Sequence, residues 1–185
     1  MPPMTPVPSI RTPRFELVSM SLPFMKALKR RDIGAAAAEV DADVPADMPD
    51  DLEHFLEYRI ADLSADPTAQ PWLGRAIIVD DGGRRRIIGS VGFHSPPDDK
   101  GQVEIGYRVE PDHRRQGVAT EVVRALLDWA CREHGVTRFR AATAPDNVAS
   151  QAVLRRFGFR QVGVQMDEYD GPELVFECDG WTATT

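Results

Sequence analysis

Apolar residues recur along this chain at two different periods, and the change of period marks out its elements. Ala119, Val122, Val123, Leu126, Leu127 and Ala130 share one face of a helix, which is expected to end near His134-Gly135. Around it lie runs with strand character: 14–18, 76–80, 86–93, 102–109, 137–143, 159–166 and 174–177. Asp81-Gly82-Gly83 and Asp170-Gly171-Pro172 read as turns between such runs. Residues 22–66 read as two helical stretches broken by Pro45 and Pro49. The second starts near Asp50 or Asp51, places Leu52, Phe55, Leu56, Ile60 and Leu63 at helical spacing, and stops at Asp66-Pro67. Ala149 to Phe157 forms a short helix closed by Gly158. Strands in sequence with helices inserted make a mixed α/β domain.

The ends are different. Residues 1–13 hold five prolines and read as an extended or mobile tail. The domain is expected over 14–179, with 180–185 as a second short tail.

Composition narrows the function classes. The 185 residues include 22 Lys+Arg and 29 Asp+Glu, a net charge of -7, which argues against nucleic acid as a partner. No apolar run approaches the ~20 residues of a membrane span, and the N-terminus lacks the pattern of a signal peptide. A cytoplasmic protein is expected, without a membrane partner. Cys131 and Cys178 make neither a disulfide framework nor a closed zinc site, so no metal is expected.

The charge is unevenly placed. From Glu39 to Asp66 stand ten carboxylates and one base, a local charge of -9, while Arg108 to Arg160 carries a local +4. Two regions facing different ligands, or an ordinary solvated surface, would both produce this pattern.

The chemistry concentrates in Val109-Glu-Pro-Asp-His-Arg-Arg-Gln-Gly-Val-Ala-Thr-Glu121. A strand ends, a polar turn follows, and the long helix begins at a glycine. The first turn of a helix leaves N–H groups unpaired and carries the positive end of its dipole. Small residues at Gly117 and Ala119 would let a phosphate reach those donors, and Arg114 and Arg115 add charge. The elements therefore predict an anion site, best suited to a pyrophosphate; a tight turn into a packed helix is the plainer alternative. Neither GxxxxGK[ST] nor GxGxxG after the first strand is present, which sets aside a P-loop NTPase and a dinucleotide fold.

Arg114-Arg-Gln-Gly117-Val-Ala119 resembles the R/Q-x-x-G-x-G/A motif of the GCN5-related N-acetyltransferases, the GNAT superfamily. EIGYRVEPDHRRQGVATE is similar to the ribosomal-protein N-acetyltransferase-like (RimJ/RimL type) branch, as is Asn147-Val-Ala-Ser150 followed by Val153-Leu154-Arg155-Arg156-Phe157-Gly158-Phe159. The resemblance implies a GNAT fold: a mixed, mostly antiparallel sheet of six to seven strands, flanking helices, and a cleft between splayed fourth and fifth strands. It implies acetyl-CoA as cosubstrate, with Val109 beside the pantetheine arm. Arg114, Arg115, Gln116, Gly117, Val118, Ala119 and Thr120 would wrap the pyrophosphate, and Asn147 would meet the thiol end or serve as a helix cap.

The implied reaction is direct attack of an amine acceptor on the acetyl group, without an acyl-enzyme. Glu104 is the candidate base, or else a strand carboxylate paired with an arginine; Ser150, Tyr107 or Tyr169 is the candidate acid. His94 is a second base candidate or a surface histidine, His113 meets phosphate or solvent, and Cys131 is a packing residue. The first helices of the family cover the acceptor side, so the acidic stretch would draw in a cationic amine such as a protein N-terminus, polyamine or amino-sugar. Related proteins often dimerise, so a homodimer is left open. A CoA-binding module without catalysis, acting as a sensor or interaction subunit, is the alternative function.

Overall fold

A computed structural model describes residues 6–184. One eight-stranded sheet runs through it in the order β1-β2-β3-β4-β5-β6-β8-β7, with helices on both faces. The strands are β1 (Ile10–Arg11), β2 (Phe15–Ser19), β3 (Arg75–Asp81), β4 (Arg84–Phe93), β5 (Gln102–Val109), β6 (Arg138–Thr143), β7 (Arg160–Asp167) and β8 (Gly171–Cys178). The helices are α1 (Leu22–Lys29), α2 (Ile33–Val40), α3 (Met48–Asp51), α4 (Glu53–Ala65), α5 (Val118–His134) and α6 (Val148–Arg156). No helix among the described residues is long and apolar enough to cross a membrane.

Alternation along the strands separates two cores. Leu17, Ile77, Val103, Ile105, Phe139 and Phe176 pack against α5 and α6, where Val122, Val123, Leu126 and Leu127 are fully buried. On the opposite face Ala76, Ile78 and Ile87 pack against Phe24, Leu28, Leu56 and Leu63 of the first helices. All strand pairs are antiparallel except β5 with β6. That parallel pair is short: Gln102, Val103 and Glu104 match Arg138, Phe139 and Arg140, and the rest of β5 has no partner on that side. The parting of these two strands makes the cleft.

Four departures from the sequence expectation have physical causes. The first helical stretch divides at Arg31, which takes a left-handed conformation (φ 59°), and Asp32 then caps α2 through its side chain. The expected proline-rich tail contains β1, which pairs with β2 and brings the sheet to eight strands; residues 1–5 lie outside the described structure. The expected C-terminal tail is docked at Trp181, whose indole donates to Asp128 Oδ1 at 3.0 Å and whose ring meets Phe139 and Phe157 edge-on; Thr185 lies outside the described residues. Gly171 and Pro172, expected in a turn, already belong to β8.

Arg75 of β3 is 1% exposed and has no carboxylate partner among the described residues. Its guanidinium donates to the carbonyls of Pro8 and Pro71 at 3.0 Å and lies over the Trp129 ring, which pins the N-terminal segment against the sheet. Burial pushes its pKa down to about 10, still far enough above neutrality to keep the charge.

Candidate functional site

The end of β5, the turn after it and the starts of α5 and α6 enclose a cleft of about 560 Å³. Nine residues expected at the site line it: Val109, Arg114, Arg115, Gly117, Val118, Ala119, Thr120, Asn147 and Ser150. Tyr107, Arg108, His113, Ala149 and Val153 complete the wall. Two expected residues lie elsewhere. Gln116 turns its side chain back to the Asp112 carbonyl at 2.9 Å, and Glu104 lies on the opposite face of β5.

The turn is built for close approach to α5. Pro111–His113 form one 3-10 turn, Arg114 is extended, and Arg115 (φ 58°) and Gly117 (φ 76°) both take left-handed conformations. Gly117 is the N-cap of α5 and offers no side-chain acceptor to the helix. The first helical bond is from the Glu121 N–H to the Gly117 carbonyl at 3.0 Å, so the N–H groups of Val118, Ala119 and Thr120 precede the ladder. With the helix dipole behind them and Arg114, Arg115 and His113 beside them, these donors suit a diphosphate. Arg114 has a second task, since its Nε donates to the Val109 carbonyl at 2.8 Å and ties the turn to the strand end.

A brace on this turn was not legible in the sequence. Glu121, in the first turn of α5, accepts from Thr12 Oγ1 at 2.6 Å, from the Arg14 N–H at 3.0 Å and from Arg14 Nε at 2.7 Å. Arg14 also donates to the Gln116 carbonyl at 3.0 Å, so the β1–β2 connection grips both sides of Gly117. No local signal joins residues 107 apart in sequence. Partial burial alone would raise the Glu121 pKa, but the Thr12 and Arg14 hydrogen bonds outweigh it and hold the carboxyl below its usual 4.5. A lowered carboxyl stabilises the fold above the unfolded value and loses that contribution as pH falls through its folded value. Glu121→Gln is therefore expected to cost about 1 kcal/mol at pH 7, with Arg14 half-exposed. In thermal unfolding the difference from the native protein should shrink below pH 4.5.

At the other end of the cleft stands a hydroxyl pair. Tyr107 Oη lies 2.9 Å from Ser150 Oγ and donates to the Ser150 carbonyl at 3.2 Å. Burial pushes the phenol above its ordinary value, against the Ser150 hydrogen bond, so it stays protonated at neutral pH. Asn147 caps α6 through Oδ1, which accepts from the Ser150 N–H at 3.1 Å and so holds Ser150 in place. Tyr169 sits elsewhere, at the β7–β8 turn, 2.9 Å from the Tyr58 hydroxyl. Its pKa is pushed up to about 12, chiefly by that bond, and unlike Tyr107 it does not line the cleft.

On the other face of β5, Glu104 Oε2 is 3.2 Å from Arg140 Nε and Oε1 is 3.7 Å from His94 Nδ1. The acidic stretch is largely neutralised by ion pairs. Asp41 and Asp43 meet Arg85 and Arg84, Asp50 meets Arg31, Asp51 meets Arg108, Glu57 meets Lys29, and Asp62 meets Arg59. The local charge counted along the sequence therefore overstates the field around the first helices.

A model of the acetyltransferase (GNAT) domain matches residues 25–160. The chain belongs to the GNAT acetyltransferase family. The "Uncharacterized N-acetyltransferase YjdG" of Bacillus subtilis is 38% identical over 73 residues, covering 40% of this chain and 44% of that protein. Among solved structures, a putative ribosomal-protein-serine acetyltransferase from Vibrio cholerae has a TM-score of 0.64 at 19% identity, covering 95% of this chain and 99% of the other. The microcin C7 self-immunity acetyltransferase MccE, solved with acetyl-CoA and AMP, has a TM-score of 0.61 at 19% identity, covering 91% and 93%. The structural likenesses establish the GNAT fold. Because β1 precedes the strand first recognised, the splayed pair is β5 and β6 here.

Proposed function

We propose that this protein is an N-acetyltransferase that takes its acetyl group from acetyl-CoA and passes it by direct attack to a primary amine. The observation that carries this reading is the cleft itself. It has free helix-start N–H groups and arginines at one end, the Tyr107–Ser150 hydroxyl pair at the other, and apolar wall between. That order of groups suits a diphosphate, a flexible chain and a thioester, in sequence.

The chain's residues divide the work. The N–H groups of Gly117, Val118, Ala119 and Thr120 bind the pyrophosphate, with charge from Arg114 and Arg115 and the Gln116 peptide held by Arg14. Val109 borders the pantetheine path, and Asn147 fixes the start of α6 at the thiol end. Ser150 and Tyr107 act together as the proton source for the leaving sulfur: Tyr107 turns its proton to the sulfur while Ser150 Oγ–H donates behind it. Glu104 stands beside His94 on the face of β5 opposite the cleft, where the amine enters and its proton leaves.

The acceptor arrives as a cation. Burial, with the fields of Asp167, Asp170 and Glu104, raises Glu173, so these carboxylates together offer a negative field to a cationic amine. The test is release of free thiol from acetyl-CoA with spermidine, a free-amino dipeptide and a neutral aromatic amine, at low and high salt. Turnover on at least one amine, with salt slowing spermidine most, is expected. CoA binding without turnover on any amine would favour a non-catalytic module, and equal rates that ignore salt would remove the cationic preference.

A further inference from the structure

We propose that His94 receives the proton of the attacking amine, with Glu104 as the residue that positions it. This deepens the acetyltransferase reading and rests on it. His94 follows β4 directly, and its N–H donates to the Glu104 carbonyl at 2.8 Å, which fixes the backbone there. Its ring lies against Gly106 of β5: a Cβ on Gly106 would stand 2.9 Å from Nε2, closer than a packed carbon atom allows. Gly106 thus leaves the space that the imidazole fills.

That space is at the mouth of the splay. Glu104 is the last residue of β5 matched to β6, and Gly106 lies two residues beyond, where the strands have parted. Alternation sends Tyr107 to the face opposite Glu104. An amine entering on the His94 side would therefore face the thioester with Nε2 on its own side and the Tyr107–Ser150 pair on the other.

Glu104 is poorly placed to be the base itself. One carboxylate oxygen is at ion-pair distance from Arg140 and the other faces His94 Nδ1. Both oxygens are thus engaged, and the one facing Nδ1 favours the imidazole tautomer with the proton on Nδ1 and a free lone pair on Nε2. Charged groups face His94 from every element around it: Glu104 on β5, Arg140 on β6, Asp167 on β7 and Arg59 on α4. Arg59 also donates to the His94 carbonyl and is itself held by Asp62. Half of the His94 side chain stays exposed, and desolvation of its packed edge holds the imidazole below its usual value, against the pull of Glu104, so it is neutral at neutral pH.

The proton balance closes with groups already in place. The amine's lone pair forms the N–C bond to the acetyl carbon, the C–S bond breaks with its electrons going to sulfur, and sulfur takes a proton from the Tyr107–Ser150 pair. The amine, its ammonium proton already lost to solvent, releases one further proton to His94 Nε2, where Glu104 stabilises the imidazolium, and after product release that proton returns through solvent to the Tyr107–Ser150 pair.

The experiment combines pH profiles of kcat/KM on the best amine of the panel with an NMR titration of the His94 ring. Native protein, His94→Gln and Glu104→Gln are compared, with CoA affinity measured alongside. Native activity should show an acid limb below about 6.5 that matches the ring titration. His94→Gln should lose that limb and about 10²–10⁴-fold in kcat, with CoA affinity unchanged. Glu104→Gln should keep the limb, shifted to lower pH together with the ring. A His94→Gln profile like the native one overturns the proposal, as does loss of the limb in Glu104→Gln, which would make Glu104 the base. If the native protein turns over no amine, the transferase reading and the role of His94 fall together; an active native protein with an unaffected His94→Gln removes only the latter.

Discussion

Gly117→Trp is expected to lower CoA affinity at least a hundred-fold, equivalent to roughly 3 kcal/mol of binding free energy. Two effects act together. Gly117 has φ 76°, which a side chain adopts at a cost of order 1 kcal/mol or more. Its missing Cβ also leaves the donors of Val118, Ala119 and Thr120 uncovered, and the Arg14 guanidinium stands 3.4 Å from where that Cβ would be. A bulky ring there would displace the brace and occupy the position of the diphosphate. Calorimetric titration with CoA reads the change directly, and thermal unfolding separates it from general damage. Unchanged affinity in a folded variant would move the pyrophosphate site away from this turn.

Tyr107→Phe is expected to lower kcat by about 10²-fold while leaving the KM for acetyl-CoA within a few-fold. The ring still fills its half-buried place against the α5 core, but the hydroxyl that would protonate the leaving sulfur is gone. Ser150→Ala should cost less, because it removes only the hydroxyl behind Tyr107. Steady-state thiol release on one amine checks both. A larger loss in Ser150→Ala than in Tyr107→Phe would reverse the order of the two hydroxyls.

What could be read in advance follows the range of the interactions. The amphipathic period of α5, its terminal glycines and the Asp81-Gly82-Gly83 turn are local signals, and the structure has each: Gly117 and Gly135 cap α5 in left-handed conformations, and Gly82 and Gly83 turn β3 into β4. The cleft residues from Val109 to Thr120 are legible for the same reason, because a strand end, a turn and a helix start lie within one stretch of chain, whereas Asn147 and Ser150 on α6 are indicated only by the family resemblance.

The unread parts are contacts between distant segments. Thr12 and Arg14 brace Glu121, Arg75 anchors Pro8, and Trp181 docks on Asp128; none has a sequence pattern. Arg31 breaks a helical stretch by adopting a conformation its residue type does not announce. The acidic stretch misled in the opposite direction, since a count along the chain cannot see the bases that the fold brings beside Asp43, Asp51 and Asp62. Glu104 was correctly placed on its strand, yet its two oxygens turned out to face Arg140 and His94.

A crystal structure of the protein with CoA tests the central claim most directly. The expected result is the diphosphate on the N–H groups of Gly117 to Thr120, the pantetheine arm along the parted end of β5, and the sulfur within hydrogen-bonding reach of Tyr107 Oη. CoA bound outside the β5–β6 splay, or with its sulfur turned away from Tyr107 and Ser150, would contradict it.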